Sequence, residues 1–182
     1  MNKKLKLWEL NRLSPEEFSK QEKLPVVVVL DDIRSFENVG SVFRTSDAFN
    51  IQEIILCGIT PVPPHREIHR TALGATETVS WSYSEKTLDT ILKLKATGYT
   101  IYALEQAEKT IMLQHLKHGI DSRIALVFGN EVNGVNQDVI DQSDGVLEIP
   151  QFGTKHSLNV SVCVGVVLWE CATILNPALK AD

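Results

Sequence analysis

Five short apolar stretches that do not alternate with polar residues restrict the fold of this chain most. They are residues 25–30 (PVVVVL), 53–57 (EIILC), 99–104 (YTIYAL), 123–128 (RIALVF) and 145–149 (GVLEI). At that length each reads as a strand. The lack of a polar face means that both sides are covered, as in a parallel sheet held between two layers of helices. A weaker strand candidate spans 78–81. Helices are expected between the strands, at 39–49, 67–73, 85–97, 111–117 and 137–142; in the third, Leu88, Ile91, Leu92 and Lys95 keep helical spacing. Ser14-Pro15-Glu16-Glu17 combines a capping serine, a first-position proline and an acidic first turn, which marks a helix start. Alternating strands and helices specify an α/β fold, a mostly parallel sheet with helices on both faces.

Residues 158–175 admit two readings. Val160, Val162, Val164 and Val166 alternate as in a strand, whereas Leu158, Val162, Val166 and Trp169 keep helical spacing. The stretch is unbroken and too long for a typical strand. A helix is expected there, against its β-branched content.

A chain of 182 residues suits one domain with a short extension, residues 1–24 preceding a domain at 25–182. With 43% hydrophobic and 23% charged residues the composition is that of a globular domain and excludes bulk disorder. Cys57, Cys163 and Cys171 sit among apolar neighbours with no C-x-x-C pair, so buried thiols in a reducing compartment are expected. The first residues, MNKKLKLWEL, lack the apolar core of a secretory signal, and no run spans a bilayer, so the expectation is cytoplasmic. A net charge of −5 weighs against a nucleic-acid partner. Two local groups run the other way: Lys3, Lys4, Lys6 and Arg12, and then His65, Arg66, His69 and Arg70. Either could contact phosphate; each could equally be solvated surface charge.

Several common chemistries lack their signature. No G-x-G-x-x-G follows a strand, and the Gly129 to Gly134 segment lacks the Lys-Ser/Thr ending of a phosphate loop. No G-x-S-x-G elbow occurs. His65 and His69 are four apart, but no carboxylate or thiol nearby completes a metal set, and His115 and His118 are weaker still. Three segments that leave strands remain. In the first, Asn38 can cap a helix, Gly40 permits close backbone approach and Arg44 lies a turn further on. The second, Phe128-Gly129-Asn130-Glu131-Val132-Asn133-Gly134, can bring its backbone against a ligand. The third, residues 149–161, delivers Ser157 and Asn159 to the start of the last helix. Each could be only a cap or turn, but ligands in open α/β sheets bind at the carboxyl ends of strands, where all three fall.

Taken in order, N-x-G-x-x-x-R (38–44), F-G-N-E-x-x-G (128–134) and I-P-x(n)-S-L-N-V-S (149–161) resemble the three motifs of SpoU/TrmH-type RNA ribose methyltransferases, a likeness running from about Val26 to Leu175. The resemblance implies a parallel sheet whose C-terminal part forms a trefoil knot, a homodimer, and S-adenosylmethionine as cofactor. General folding rules would have favoured an unknotted sheet. By similarity the cofactor pocket would use Leu104, Glu105, Gly129, Asn130, Glu131, Ile149 and Leu158, with no metal. The catalytic set would be Arg44, Asn38, Glu131, Ser157 and Asn159. The resemblance gives Arg44 the activation of the ribose 2′-hydroxyl; since a guanidinium does not accept a proton at neutral pH, stabilising the developing oxyanion is the role physics allows. Asn38 would position Arg44 or the ribose, Glu131 would anchor the site, and Ser157 and Asn159 would hold phosphate or the cofactor loop.

The implied activity is RNA 2′-O-methyl transfer. Leu104-Glu105-Gln106 together with Leu147-Glu148-Ile149-Pro150-Gln151 looks most like tRNA enzymes acting on a D-loop guanosine, with rRNA as the alternative substrate. A non-catalytic RNA-binding module of the same fold is a further alternative, which the filled Asn38, Arg44, Glu131 and Asn159 positions disfavour. A small-molecule methyltransferase or nucleotide-binding enzyme is another, to which the acidic charge lends some weight.

Overall fold

The computed structural model describes residues 2–10, 12–116, 123–176 and 179. Seven strands form one sheet in the order β3-β2-β1-β6-β4-β7-β5, and every adjacent pair is parallel. They are β1 (Leu24–Asp31), β2 (Ile51–Cys57), β3 (Trp81–Ser84), β4 (Thr100–Leu104), β5 (Ile111–Met112), β6 (Ile124–Phe128) and β7 (Gly145–Glu148). The helices are α1 (Pro15–Ser19), α2 (Phe36–Ala48), α3 (Arg66–Ala72), α4 (Thr87–Ala96), α5 (Gln137–Gln142) and α6 (Val160–Leu175). No helix among the described residues is long and apolar enough to cross a membrane.

The valine run of β1 shows why its sequence does not alternate. Val26, Val28 and Leu30 join a core with Val42 and Phe43 of α2, Ile68 of α3 and Val164 of α6. Val27 and Val29 join a second core with Ile91 of α4 and Val139 of α5. Successive side chains on a strand point to opposite faces, and here both faces are dry. The connections bring helices to both sides, so the central strands become wholly apolar.

Most expected elements occur with shifted ends, and two differ in kind. The segment 111–117 is no helix: Ile111 and Met112 pair with Leu147 and Glu148 of β7, and a 3₁₀ turn follows at Leu113–His115. Leu113 and Leu116 both enter the core. Being three apart, they are buried by one 3₁₀ turn, whose period is three; Lys117 lies outside the described residues. The weak strand at 78–81 is displaced to Trp81–Ser84, because Val79 is buried in the preceding turn rather than in the sheet. The last segment is a helix, as its spacing predicted. Its burial of Val164, Val167, Leu168, Cys171, Ala172 and Ile174 outweighs the β-branched propensity cost.

Helix α2 begins at Phe36 because Ser35, not Asn38, is its cap: Ser35 Oγ accepts from Asn38 N at 3.2 Å. Gly40 faces α3 so closely that any Cβ would overlap Thr71 Oγ1 and the Ile68 carbonyl. That contact seats α3 on α2 and sets the groove described below.

Candidate active site

Three loops leave the carboxyl ends of β1, β6 and β7 and meet over the middle of the sheet. The backbone of each is fixed by side chains. Asp31, buried, accepts from Asn136 N at 3.1 Å and from the Thr87 hydroxyl. Asp32 takes a left-handed conformation at φ +54° and accepts from Ile59 N at 2.9 Å. In the second loop Asn130 and Gly134 exchange backbone hydrogen bonds of 3.0 and 2.9 Å. Asn130 Nδ2 donates to the Asp32 carbonyl at 2.6 Å, tying the second loop to the first. Gly129 lies directly against the backbone of Gly134 and Val135, where no Cβ fits, and Gly134 sits at φ +70° against Glu105. These two glycines let the loop close on itself beside β4.

Glu131 joins the loops. Its Oε2 accepts from Arg34 N at 3.0 Å, and its Oε1 from Ser35 N and Asn38 Nδ2, both at 3.1 Å. Asn38 Oδ1 in turn accepts from Asn159 Nδ2 at 3.1 Å. Asn159 caps α6, its Oδ1 accepting from Ser161 N at 2.9 Å and from the Ser161 hydroxyl at 2.7 Å. The chain Ser161–Asn159–Asn38–Glu131 therefore runs in one direction and orients both amides, since a carboxylate can only accept. Burial raises the Glu131 pKa, but hydrogen bonds from Arg34 N, its own N–H, Asn38 and Ser35 N outweigh it and leave the carboxyl below its ordinary value. Asn38, expected to position Arg44 or the ribose, bonds Glu131 and Asn159 with its side chain and not Arg44 among the described residues.

A cavity of about 400 Å³ lies beneath this network. Leu104, Glu105, Gly129, Asn130, Glu131, Ile149 and Leu158, each expected at a pocket from the resemblance, all line it, together with Ser157 and Asn159. Gln106 and Glu148, which the sequence singled out only for their likeness to tRNA enzymes, and Cys163, which it did not assign to a pocket, also line it. The first two stand at strand ends beside expected residues, and adjacency was the available signal. Cys163 carried no signal, since it is one helical turn past the Asn159 cap. Burial pushes its thiol up to about 12.

The lining is one-sided in charge. Glu105, Glu131 and Glu148 contribute carboxylates, and among the described residues no lysine, arginine or histidine lines the cavity. All three acids are held: Glu105 accepts from Val135 N (3.1 Å) and Gln106 N (2.8 Å), and Glu148 from the Thr110 hydroxyl (2.8 Å).

Arg44 is elsewhere. It is exposed in an open groove between α2 and α3, with Ser41, Phe49, Arg70 and Thr71 as neighbours. Arg70 is paired with Glu37, whereas the Arg44 guanidinium makes no hydrogen bond or ion pair among the described residues. Asn38 and Arg44, six residues apart, stand on different faces of α2. His65 caps α3 and stacks on Phe36 at 3.9 Å rather than facing His69 along a helix.

The depressed carboxyls make a pH prediction. Asp144 resembles Glu131: burial raises its pKa, but bonds from Ile101 N and the Lys95 ammonium, 2.8 Å away, lower it further. A carboxyl whose folded pKa lies below its unfolded one stabilises the fold above the unfolded pKa, and that contribution is lost as pH falls through the folded value. Thermal stability from these two groups should be flat at neutral pH and fall below roughly pH 4. Asp144→Asn should flatten part of that acid limb in melting curves taken across pH; an unchanged limb would contradict the assignment.

The sequence profile of the SpoU rRNA Methylase family matches residues 25–169. An uncharacterized tRNA/rRNA methyltransferase of Borreliella burgdorferi is 32% identical over 161 residues, 88% of this chain and 69% of that protein. The 23S rRNA (guanosine-2′-O-)-methyltransferase RlmB of Neisseria meningitidis is 31% identical over 146 residues, 80% of this chain and 57% of that one. Among solved structures, an AdoMet-bound rRNA methyltransferase from Sinorhizobium meliloti superposes with a TM-score of 0.76 at 26% identity, covering 84% of this chain and 60% of that one. The chain thus spans somewhat over half to two thirds of the length of these relatives.

Proposed function

Because this chain belongs to the SpoU rRNA methylase family, we propose that it transfers a methyl group from S-adenosylmethionine to a ribose 2′-hydroxyl of RNA. The observation that carries the reading is the cavity lined by three held carboxylates and no cation. Its size is that of a small-molecule site, and its charge suits a ligand of net positive charge, such as one with a sulfonium and an ammonium against a single carboxylate. A nucleoside triphosphate would meet only repulsion from it. Leu104, Ile149 and Leu158 supply the apolar contact an adenine ring needs.

S-adenosylmethionine supplies a methyl carbon on a cationic sulfur that leaves as a neutral thioether. The chain has then to orient the 2′-oxygen in line with that carbon and manage the hydroxyl proton. Glu131, Asn38 and Asn159 hold the three loops in one arrangement, and Ser157 lines the cavity. Arg44, exposed and without a hydrogen bond or ion pair among the described residues, is the group for RNA: it would contact phosphate or stabilise the developing oxyanion. Basic His65, Arg66, His69 and Arg70 on or beside α3 extend that surface, and Lys3, Lys4 and Lys6 of the 1–24 extension are a second local basic group for phosphate. Their local charge answers the acidic total.

The reading includes a homodimer and the C-terminal trefoil knot, which both come from the resemblance. The dimer is further supported by α6, whose Val162, Val166 and Trp169 form an exposed apolar stripe at helical spacing. One end of α6 borders the cavity through Val160 and Cys163; Trp169 meets Phe49 of the Arg44 groove at 6.4 Å between ring centroids. A second copy seated on that stripe would stand next to both. We take tRNA, at a D-loop guanosine, as the first substrate; rRNA is the second reading, favoured by the name of the Neisseria relative.

Titration calorimetry tests the cavity. S-adenosylmethionine should bind and ATP should not; no heat with S-adenosylmethionine at millimolar concentration would overturn the reading. Gly129→Ala should weaken binding by about tenfold or more, because its Cβ forces the loop backbone outward. Parent affinity in that variant would show that the loop is not part of the binding wall.

A further inference from the structure

The loop from β7 to α6 carries a feature that neither the cavity nor the fold uses. Phe152 is 97% exposed, more than any other large apolar side chain described. Outside the N-terminal segment the next most exposed is Val132 at 73%, which lines the cavity on the second loop. Scattered single apolar residues are ordinary on a surface, but Phe152 belongs to a loop that borders the same cavity as Val132. Phe152 follows Gln151, a lining residue, and precedes Ser157 and Leu158, which line it too. The loop is held at both ends rather than trailing: Ile149 packs on the core, and Gln106 Nε2 donates to the His156 carbonyl at 2.7 Å. It also carries Lys155 and His156 and no carboxylate, in contrast to the acidic cavity below.

We infer that Phe152 is a stacking platform for an unpaired nucleobase of the RNA, beside the nucleotide whose ribose enters the site. This rests on the RNA reading above. Single-stranded RNA offers splayed bases whose faces stack on aromatic rings, while cations beside the ring meet the sugar–phosphate chain. A planar, fully exposed ring on the same loop as the Lys155 ammonium has that combination. An aliphatic side chain in its place would supply area without the stacking geometry. Phe152 thus becomes a specificity residue that selects unpaired over duplex RNA.

The test uses the full chain, a short unstructured oligoribonucleotide and the same sugar–phosphate chain without bases. Phe152→Ala should weaken the oligoribonucleotide by roughly 5- to 150-fold, the range for one base stacked on an aromatic ring. It should leave the abasic chain and S-adenosylmethionine within about twofold, since Phe152 touches neither cavity nor phosphate in this account. Phe152→Trp should restore binding, and its indole fluorescence should be quenched by the oligoribonucleotide but not by the abasic chain; Phe152→Leu should not restore binding. In methylation assays the loss should appear in KM for RNA rather than in kcat. Equal binding by Phe152→Ala, rescue by leucine, or equal losses for both chains would overturn the stacking role alone. A lower sedimenting mass for Phe152→Ala would overturn it in favour of contact with a second copy. If the parent bound S-adenosylmethionine but neither chain, the RNA reading would fall and the platform with it.

Discussion

Arg44→Ala should reduce methyl transfer by roughly 100- to 1000-fold, the loss that follows removal of one preorganised donor to a developing oxyanion, with the groove brought to the cavity by bound RNA or by the second copy seated on α6. Its affinity for S-adenosylmethionine should stay within about threefold of the parent, because residues with no shared partner act independently. The separation is built into the structure. The cavity and the Arg44 groove share no lining residue, and Asn38, the link expected between them, is committed to Glu131 and Asn159. Arg44→Lys should not restore the rate, since an ammonium keeps the charge but loses the planar fork of donors. Near-parent turnover in Arg44→Ala would remove Arg44 from the mechanism. A large loss of cofactor affinity would mean that the groove and the cavity are one site.

The second large effect is at Glu131. Three donors from the first loop converge on its two oxygens: Arg34 N, Ser35 N and Asn38 Nδ2. Glu131→Ala leaves all three without an acceptor, and the partly exposed position lets water replace some of the loss. The stability cost should be about 1–2 kcal/mol, a few degrees of melting temperature. Turnover should fall further, about 100-fold, because Asn38 and Asn159 lose the anchor that orients them and small displacements are costly in catalysis. Glutamine should not rescue. Both carboxylate oxygens accept, so an amide must turn its NH₂ toward one of the donors. Parent activity in Glu131→Gln would show that the network is incidental to the chemistry.

The sheet was legible in the sequence because its central strands are buried on both faces, which writes itself as an unbroken valine run. Its edges were not. β5 is two residues long and β3 four, and neither has enough length to outweigh the helical spacing or the turns around it. In the site, the identity of the residues was readable where motif and strand end coincide, as at Gly129 to Glu131. Their relations were less so. Asn38 reads equally well as a cap, but Ser35 takes that place, and only the tertiary approach of the second and third loops turns the Asn38 amide into a relay. The distance of Arg44 from the cavity could not be foreseen from a six-residue spacing once its helix began three residues earlier than expected. The acidity of the cavity was hidden for a related reason: Glu105, Glu131 and Glu148 come from three strand ends far apart in the chain.

The central claim is that the methyl group goes to a ribose oxygen of RNA, and it can be read from where the label lands. The protein would be incubated with S-adenosylmethionine labelled at the methyl group and with separate tRNA and rRNA pools lacking modification, followed by complete alkaline hydrolysis. A 2′-O-methyl group blocks cleavage of the adjoining phosphodiester, so the account predicts label in alkali-stable dinucleotides, lost with Arg44→Ala. Label released in mononucleotides would mean methylation of a base, and would contradict it.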